Sequence, residues 1–154
     1  MNDPVSTPKL VYLDVCALSR PFDDQQQLRI RLETAAVELI LAHVRRGVLA
    51  LVVSPVHSIE IESISDPEEF EQLVLLLPEC GYNMEFGLPT THLQAEGFVR
   101  QGLGIADAAH VAFTVQAQAK FISVDDRLLK QCRRIGVPIW CGTPQAFCEK
   151  ENLR

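Results

Sequence analysis

With 154 residues, 47% of them apolar, the chain has the size of one globular domain and is long enough to bury about two-thirds of the surface its unfolded form exposes. The formal net charge of −6 argues against a phosphate-binding surface spread over the whole molecule, yet leaves room for an acidic pocket inside a basic rim. No apolar run approaches the roughly 20 residues that cross a bilayer, and Asn2 and Asp3 open the chain without the basic-then-apolar pattern of an export signal, so the expected location is cytoplasmic, with no membrane contact.

After a short proline-containing lead, Lys9-Leu-Val-Tyr-Leu13 is a compact apolar run ending at Asp14, as a buried parallel strand would be. From Gln26 to Arg46 the period changes: Leu28, Leu32, Ala35, Ala36, Leu39 and Ile40 recur at helical spacing, and Gly47 follows Arg45 and Arg46 as a stop. Leu49 to Val53 reads as a second strand. It is halted by Ser54-Pro55, where serine caps and proline occupies the first turn of a helix carrying Glu60. Ser65-Asp66-Pro67-Glu68-Glu69 starts another helix, expected to stop at Leu77 before Pro78. A brief strand near Tyr82 to Glu85 follows, then a helix capped by Thr90 or Thr91 and ending near Gly102.

Ile105, Ala108, Ala112, Val115 and Ala119 mark the next helix, whose small residues permit close packing on a sheet. Phe121-Ile-Ser-Val124 is the fourth strand, and Asp125 or Asp126 caps the helix carrying Leu128, Leu129, Cys132 and Ile135, which Gly136 ends. Val137 to Cys141 is the last strand, before a C-terminal helix from Thr143-Pro144. This alternation predicts an α/β fold, a three-layer α/β/α sandwich with a mostly parallel central sheet and right-handed crossovers, as one domain over residues 1–154.

Ligands of parallel sheets gather at the carboxyl ends of strands, where Asp14 follows the first strand and Asp125 the fourth. Glu60, on the helix that leaves the second strand, and Asp107, early in the Ala-rich helix before the fourth strand, are placed to converge on the same crevice. Four carboxylates there repel one another unless a hard cation sits among them, and Mg²⁺ or Mn²⁺ prefers such oxygen ligands. Each acid also has a plain reading. Asp125 or Asp126 caps a helix, Asp107 favours a helix dipole, and Glu60 is solvated with Glu62 as a rival for any inward role. Asp14, at the end of a very apolar strand, needs a partner, because an unpaired acid there costs several kcal/mol.

Four motifs occur in order: Val-Tyr-Leu-Asp14, Ser54 with Glu60 six residues on, Gly104-Ile-Ala-Asp107-Ala-Ala-His-Val-Ala, and Ile122-Ser-Val-Asp125. On these motifs residues 9 to 148 resemble a PIN domain, and Leu13-Asp14-Val-Cys-Ala-Leu-Ser-Arg-Pro-Phe-Asp-Asp24 resembles the start of a prokaryotic branch of that family. The resemblance implies a divalent-metal-dependent endoribonuclease, a hydrolase of RNA phosphodiester bonds, as the toxin of a toxin–antitoxin pair. Asp14, Glu60, Asp107 and Asp125 would be the catalytic ligands of Mg²⁺ or Mn²⁺, and Ser123 and Asp126 would support them. It also implies a homodimer and an antitoxin protein partner, with the exposed faces of residues 28 to 46 and 66 to 77 as contact surfaces. Cys16 departs from the family, which more often has a polar Asn, Ser or Thr there, and Asp126 beside Asp125 allows a shared or swapped ligand.

Arg20 has two readings, a bidentate hold on a substrate phosphate or a surface pair with Asp23 or Asp24. His43 and His110 read as packing histidines before they read as bases, and Trp140 as core before a base-stacking platform. Arg45/Arg46 and Arg133/Arg134 are the basic last turns of two helices, or a rim that attracts RNA. Cys16, Cys80, Cys132, Cys141 and Cys148, an odd number without a C-x-x-C pair, read as buried reduced thiols.

The main functional alternative is a non-catalytic PIN-like binding module regulated through a protein partner. An aspartyl-phosphate enzyme of the haloacid-dehalogenase-like pattern would want a second Asp where Cys16 stands, and a thiol phosphatase would want its arginine later than Arg20. No phosphate-binding glycine loop of either common type is present.

Overall fold

A computed structural model describes residues 7–154; Asn2 and Asp3, on which the reading about export rests, lie outside the described residues. The apolar Lys9–Leu13 run forms strand β1, and Asp14 immediately caps a short helix α1 (Val15–Leu18) by accepting from the Ala17 N–H. A 3₁₀ turn at Arg20–Phe22 leads into α2 (Leu28–Arg45), which ends where Gly47 takes a φ of 78°. Next come β2 (Leu49–Val52), α3 (Pro55–Glu62), α4 (Pro67–Cys80) and β3 (Gly81–Tyr82). After α5 (Leu88–Arg100) and α6 (Ile105–Ala117), the chain runs through β4 (Lys120–Ile122), α7 (Asp126–Ile135), β5 (Cys141–Gly142) and α8 (Pro144–Lys150).

The strands form one parallel sheet in the order β3-β2-β1-β4-β5, with Val11 opposite Leu51 on one side and Lys120 on the other. Period-two alternation along β1 sends Val11 and Leu13 to one face and Tyr12 to the other. Val11 and Leu13 pack with Val37 and Ile40 of α2, Leu73 of α4 and Phe147 of α8. Tyr12 packs with Phe98 of α5, Val111 of α6 and Leu128 of α7. Two buried clusters on opposite faces of one sheet are the three layers that the alternating pattern predicts. Because β1 and β4 are neighbours, Asp14 and Ser123 emerge side by side, with the Asp14 N–H reaching the Ile122 carbonyl at 3.3 Å. Among the described residues no helix is long and apolar enough to cross a membrane.

Several boundaries differ from the sequence expectation. Helix α4 runs through Pro78 to Cys80, because Pro78 and Val74 both lie on the exposed side and the carbonyl that loses its partner is left facing solvent. Helix α5 starts at Leu88 with Pro89 in its first turn; Thr91 is buried and bonds back to the Gly87 carbonyl at 3.0 Å instead of capping. The last strand shrinks to Cys141–Gly142, since Pro138 has no N–H to give a ladder. Among the described residues the cysteines are all free, but Cys16 is exposed where a buried thiol was expected.

Candidate functional site

Asp14 is only 3% exposed. Its Oδ1 accepts from the Ala17 N–H at 3.1 Å and from the Cys16 thiol at 3.1 Å. Burial pushes its pKa up, opposed by hydrogen bonds from Ser123 and Cys16, by the nearby His110 and by the Ala17 N–H. Ser123, fully buried, also accepts from the Asp125 N–H at 3.1 Å, so one hydroxyl ties the end of β1 to the turn after β4. Cys16 thus fills a hydrogen-bonding place beside the first acid, where a polar side chain was the expectation.

Glu60 lies on α3 with its side chain 36% exposed, and His110 of α6, 2% exposed, gives it a hydrogen bond from Nε2. That bond is the first cause of the lowered pKa of Glu60. The other ring nitrogen of His110, Nδ1, lies 2.5 Å from the Tyr12 hydroxyl, which is 2.7 Å from the Ser54 hydroxyl. Burial drives the Tyr12 pKa well up, so it remains a phenol. His110 is therefore a buried, hydrogen-bonded histidine, as the packing reading expected, and its bonds join the core to an acid.

His57 is fully buried beside this chain of bonds. Ser54 N–H donates to its Nδ1 at 3.0 Å, which places the ring hydrogen on Nε2, donating to the Leu13 carbonyl at 2.7 Å. A histidine here takes the place that Glu or Gln fills in a capping box. Burial, helped by His110, lowers its pKa from 6.5 to about 4. A lowered basic pKa means stability that is complete above 6.5 and lost as pH falls through 4. Between pH 7 and pH 4 the unfolding free energy of wild type relative to His57→Gln should fall by about 3 kcal/mol. Denaturant melts of both proteins at each pH measure this, and a pH-independent difference would refute it.

Asp107 is half-buried in the first turn of α6. Its pKa is raised by burial first, then by the charges of Asp14, Asp125 and Glu60, with His110 opposing. The charges of Asp14, Asp125 and Glu60, carried by other elements of the chain, all bear on Asp107. Asp125 caps α7, its Oδ1 accepting from the Leu128 N–H at 3.1 Å, as the capping reading expected. Asp126 turns outward, 62% exposed, and pairs with Arg29 at 2.9 Å; Glu62 is exposed as well.

The donor set, carboxylate oxygens under mutual repulsion, suits a hard divalent cation. Among the described residues no three His, Cys, Asp or Glu side chains form a ready metal cage. Mg²⁺ takes one or two carboxylates directly and keeps several waters, so an open set of this kind still fits it chemically.

Arg20 is committed elsewhere. Its Nη2 lies 3.0 Å from Glu33 and its Nη1 2.9 Å from Asp23, leaving the pairing reading in place of a free phosphate hook. Glu33, 1% exposed, also meets Arg29 at 3.4 Å, and Arg29 reaches the Val124 carbonyl at 3.3 Å. This chain of charges braces the turn that presents Asp125. His43 donates to the Leu39 carbonyl at 2.9 Å as a packing histidine, and Trp140 packs on Phe147 at 5.8 Å between ring centres. Arg45 faces Glu79 at 3.4 Å, while Arg134 bonds the Gln101 carbonyl at 3.0 Å. A groove of about 360 Å³ between α2 and α4 is lined by Leu18, Phe22, Leu41, Leu73 and Leu76 together with Glu38, Arg45, Gln72 and Glu79, with none of the four acids in its wall.

Sequence reasoning missed Tyr12, His57, Arg29 and Glu33. The usable signals were a tyrosine inside an apolar strand and a histidine three residues after the helix-capping Ser54.

No family model matches the sequence, and no curated protein matches it. Among solved structures, the crystal structure of FitAcB from Neisseria gonorrhoeae aligns with a TM-score of 0.51 at 11% identity, covering 88% of this chain and 98% of that one. At that identity the likeness establishes the fold alone.

Proposed function

We propose that this chain is a divalent-metal-dependent endoribonuclease of the PIN type, with Asp14, Glu60, Asp107 and Asp125 around Mg²⁺ or Mn²⁺, acting as the toxin of a toxin–antitoxin pair. The observation that carries the reading is the placement of Asp14 and Asp125 at the carboxyl ends of the neighbouring strands β1 and β4, where the Asp14 N–H reaches the Ile122 carbonyl and Ser123 accepts from the Asp125 N–H. The order of the four motifs and the fold likeness support it. An antitoxin partner and a homodimer rest on the sequence resemblance.

The chemistry supplied by a divalent ion at such a centre is activation of a water nucleophile and neutralisation of charge on the attacked phosphate and leaving oxygen. The chain's own part is to hold the acids still. Asp14 is fixed by Ala17, Cys16 and Ser123, Glu60 by His110, and Asp125 by its cap on α7. Asp107, raised by burial and by the charges of Asp14, Asp125 and Glu60, would gain from a counter-charge.

A labelled set of single-stranded RNAs is expected to be cut by purified protein with Mg²⁺ or Mn²⁺ and left intact with EDTA. Asp107→Asn should lower the rate by about 100-fold, roughly the several kcal/mol assigned to one such charge. The second reading, a binding module that cuts nothing, draws support from the lack of a three-ligand cage among the described residues. It takes precedence if wild type and Asp107→Asn show the same residual cutting.

A further inference from the structure

We propose that His110 is a positioning residue for Glu60: it locks the carboxylate over the acidic centre, and is itself held in orientation from the core by Tyr12 and Ser54. The inference rests on the metal-centre reading above.

A histidine that only fills space needs one partner, whereas both ring nitrogens of His110 are engaged. Donors and acceptors assign themselves along the chain. The Glu60 carboxylate can only accept, so Nε2 carries the hydrogen; in the neutral ring Nδ1 accepts from the Tyr12 hydroxyl, whose oxygen accepts from Ser54. Every bond runs in one direction, from the buried side of the sheet toward the one member that opens to solvent. Rotation of the ring is blocked by His57, 5.2 Å away and near-perpendicular, and by Tyr12 at 5.4 Å, also edge-on.

The placement on α6 gives the arrangement its purpose. His110 stands three residues after Asp107, so both lie on one face of the helix, and the element that supplies one acid also clamps another carried by α3. Glu60, half-exposed on a short helix, has no other bond holding its carboxylate among those described. Without His110 its side chain would sample several rotamers, and that freedom would have to be given up on binding an ion.

The test is Mn²⁺ binding to the full chain, measured by titration calorimetry alongside thermal melts. His110→Leu should weaken Mn²⁺ binding by about 10- to 100-fold, as loss of a group orienting a ligand does, and His110→Gln should recover most of it by restoring an N–H donor. In a Glu60→Ala background, His110→Leu should have no further effect on Mn²⁺. A lowered melting temperature with wild-type Mn²⁺ affinity would show a purely structural histidine and overturn the proposal. An equal loss in the Glu60→Ala background would overturn it too. Tyr12→Phe removes one hydroxyl and little volume, so it keeps the test open if His110→Leu does not fold. It should weaken Mn²⁺ binding in the same direction, and unchanged affinity in it counts against the proposal. If wild type binds no Mn²⁺, the metal-centre reading fails and this inference with it; binding by wild type with no change in the variants overturns this inference alone.

Discussion

Asp14→Asn should cut RNA at least about 100-fold more slowly than wild type in Mg²⁺ or Mn²⁺, yet be the more stable protein when no metal is present. The two effects have one cause. Asp14 is 3% exposed, and burial raises its pKa above the ordinary 3.8. A raised acidic pKa means that the folded state prefers the proton. Its ionised form therefore costs stability, increasingly so as pH climbs from 3.8 through the raised value, and fully above it. Asparagine carries no charge to bury and keeps an oxygen for the Ala17 N–H, so in EDTA at neutral pH its melting temperature should exceed that of wild type. The advantage should vanish in acid, where Asp14 is protonated in both states. Added Mn²⁺ should raise the melting temperature of wild type and leave the variant nearly unmoved. Equal RNA-cutting rates, or a variant that is less stable in EDTA, would remove Asp14 from the centre.

Such a residue was legible in the sequence because parallel α/β folds offer few places for an acid directly after an apolar strand. Asp14 and Asp125 were read from that rule alone, and adjacency of β1 and β4 is what turns it into a single locus. Asp107 and Glu60 were placed toward the same crevice by the helices that carry them, but each also had a plain local explanation, and the family motifs singled them out. The relay behind Glu60 was not legible. Tyr12 and His110 are 98 residues apart, and a tyrosine in an apolar strand or a histidine in an Ala-rich helix reads as packing until its partner is known. The helix boundaries that were misjudged share a different cause. Pro78 and Thr91 were read by their local preferences, whereas solvent on one side of α4 and a buried hydroxyl in α5 decided the outcome. Arg20 shows the same limit at the level of charge: Asp23 and Asp24 were visible as neighbours in sequence, but the buried partner that dominates, Glu33, sits 13 residues on with nothing local to mark it.

That buried pair leads to the second large effect. Arg20→Leu strands the Glu33 carboxylate, 1% exposed, with only the more distant Arg29 contact at 3.4 Å. Breaking a buried ion pair from one side costs about 3 kcal/mol at the low end of its range, and Arg29 keeps the figure there. For a domain of this size that corresponds to a fall in melting temperature of about 6 to 12 °C. Adding Glu33→Gln should return most of the loss, because the penalty belongs to an unpaired charge and not to the missing arginine. Arg29, 54% exposed at its side chain, still has Asp126 and water when Glu33 is neutral, so the double variant creates no new unpaired group. Were Arg20 instead a hook for substrate phosphate, Arg20→Leu would raise KM for RNA with its melting temperature unchanged, and Glu33→Gln would rescue nothing. The melting temperature separates the two roles without any assay of cutting. If it falls and the double variant recovers, the Arg20–Glu33–Arg29–Asp126 chain is a brace for the turn carrying Asp125, and Arg20 serves the fold and not a substrate phosphate.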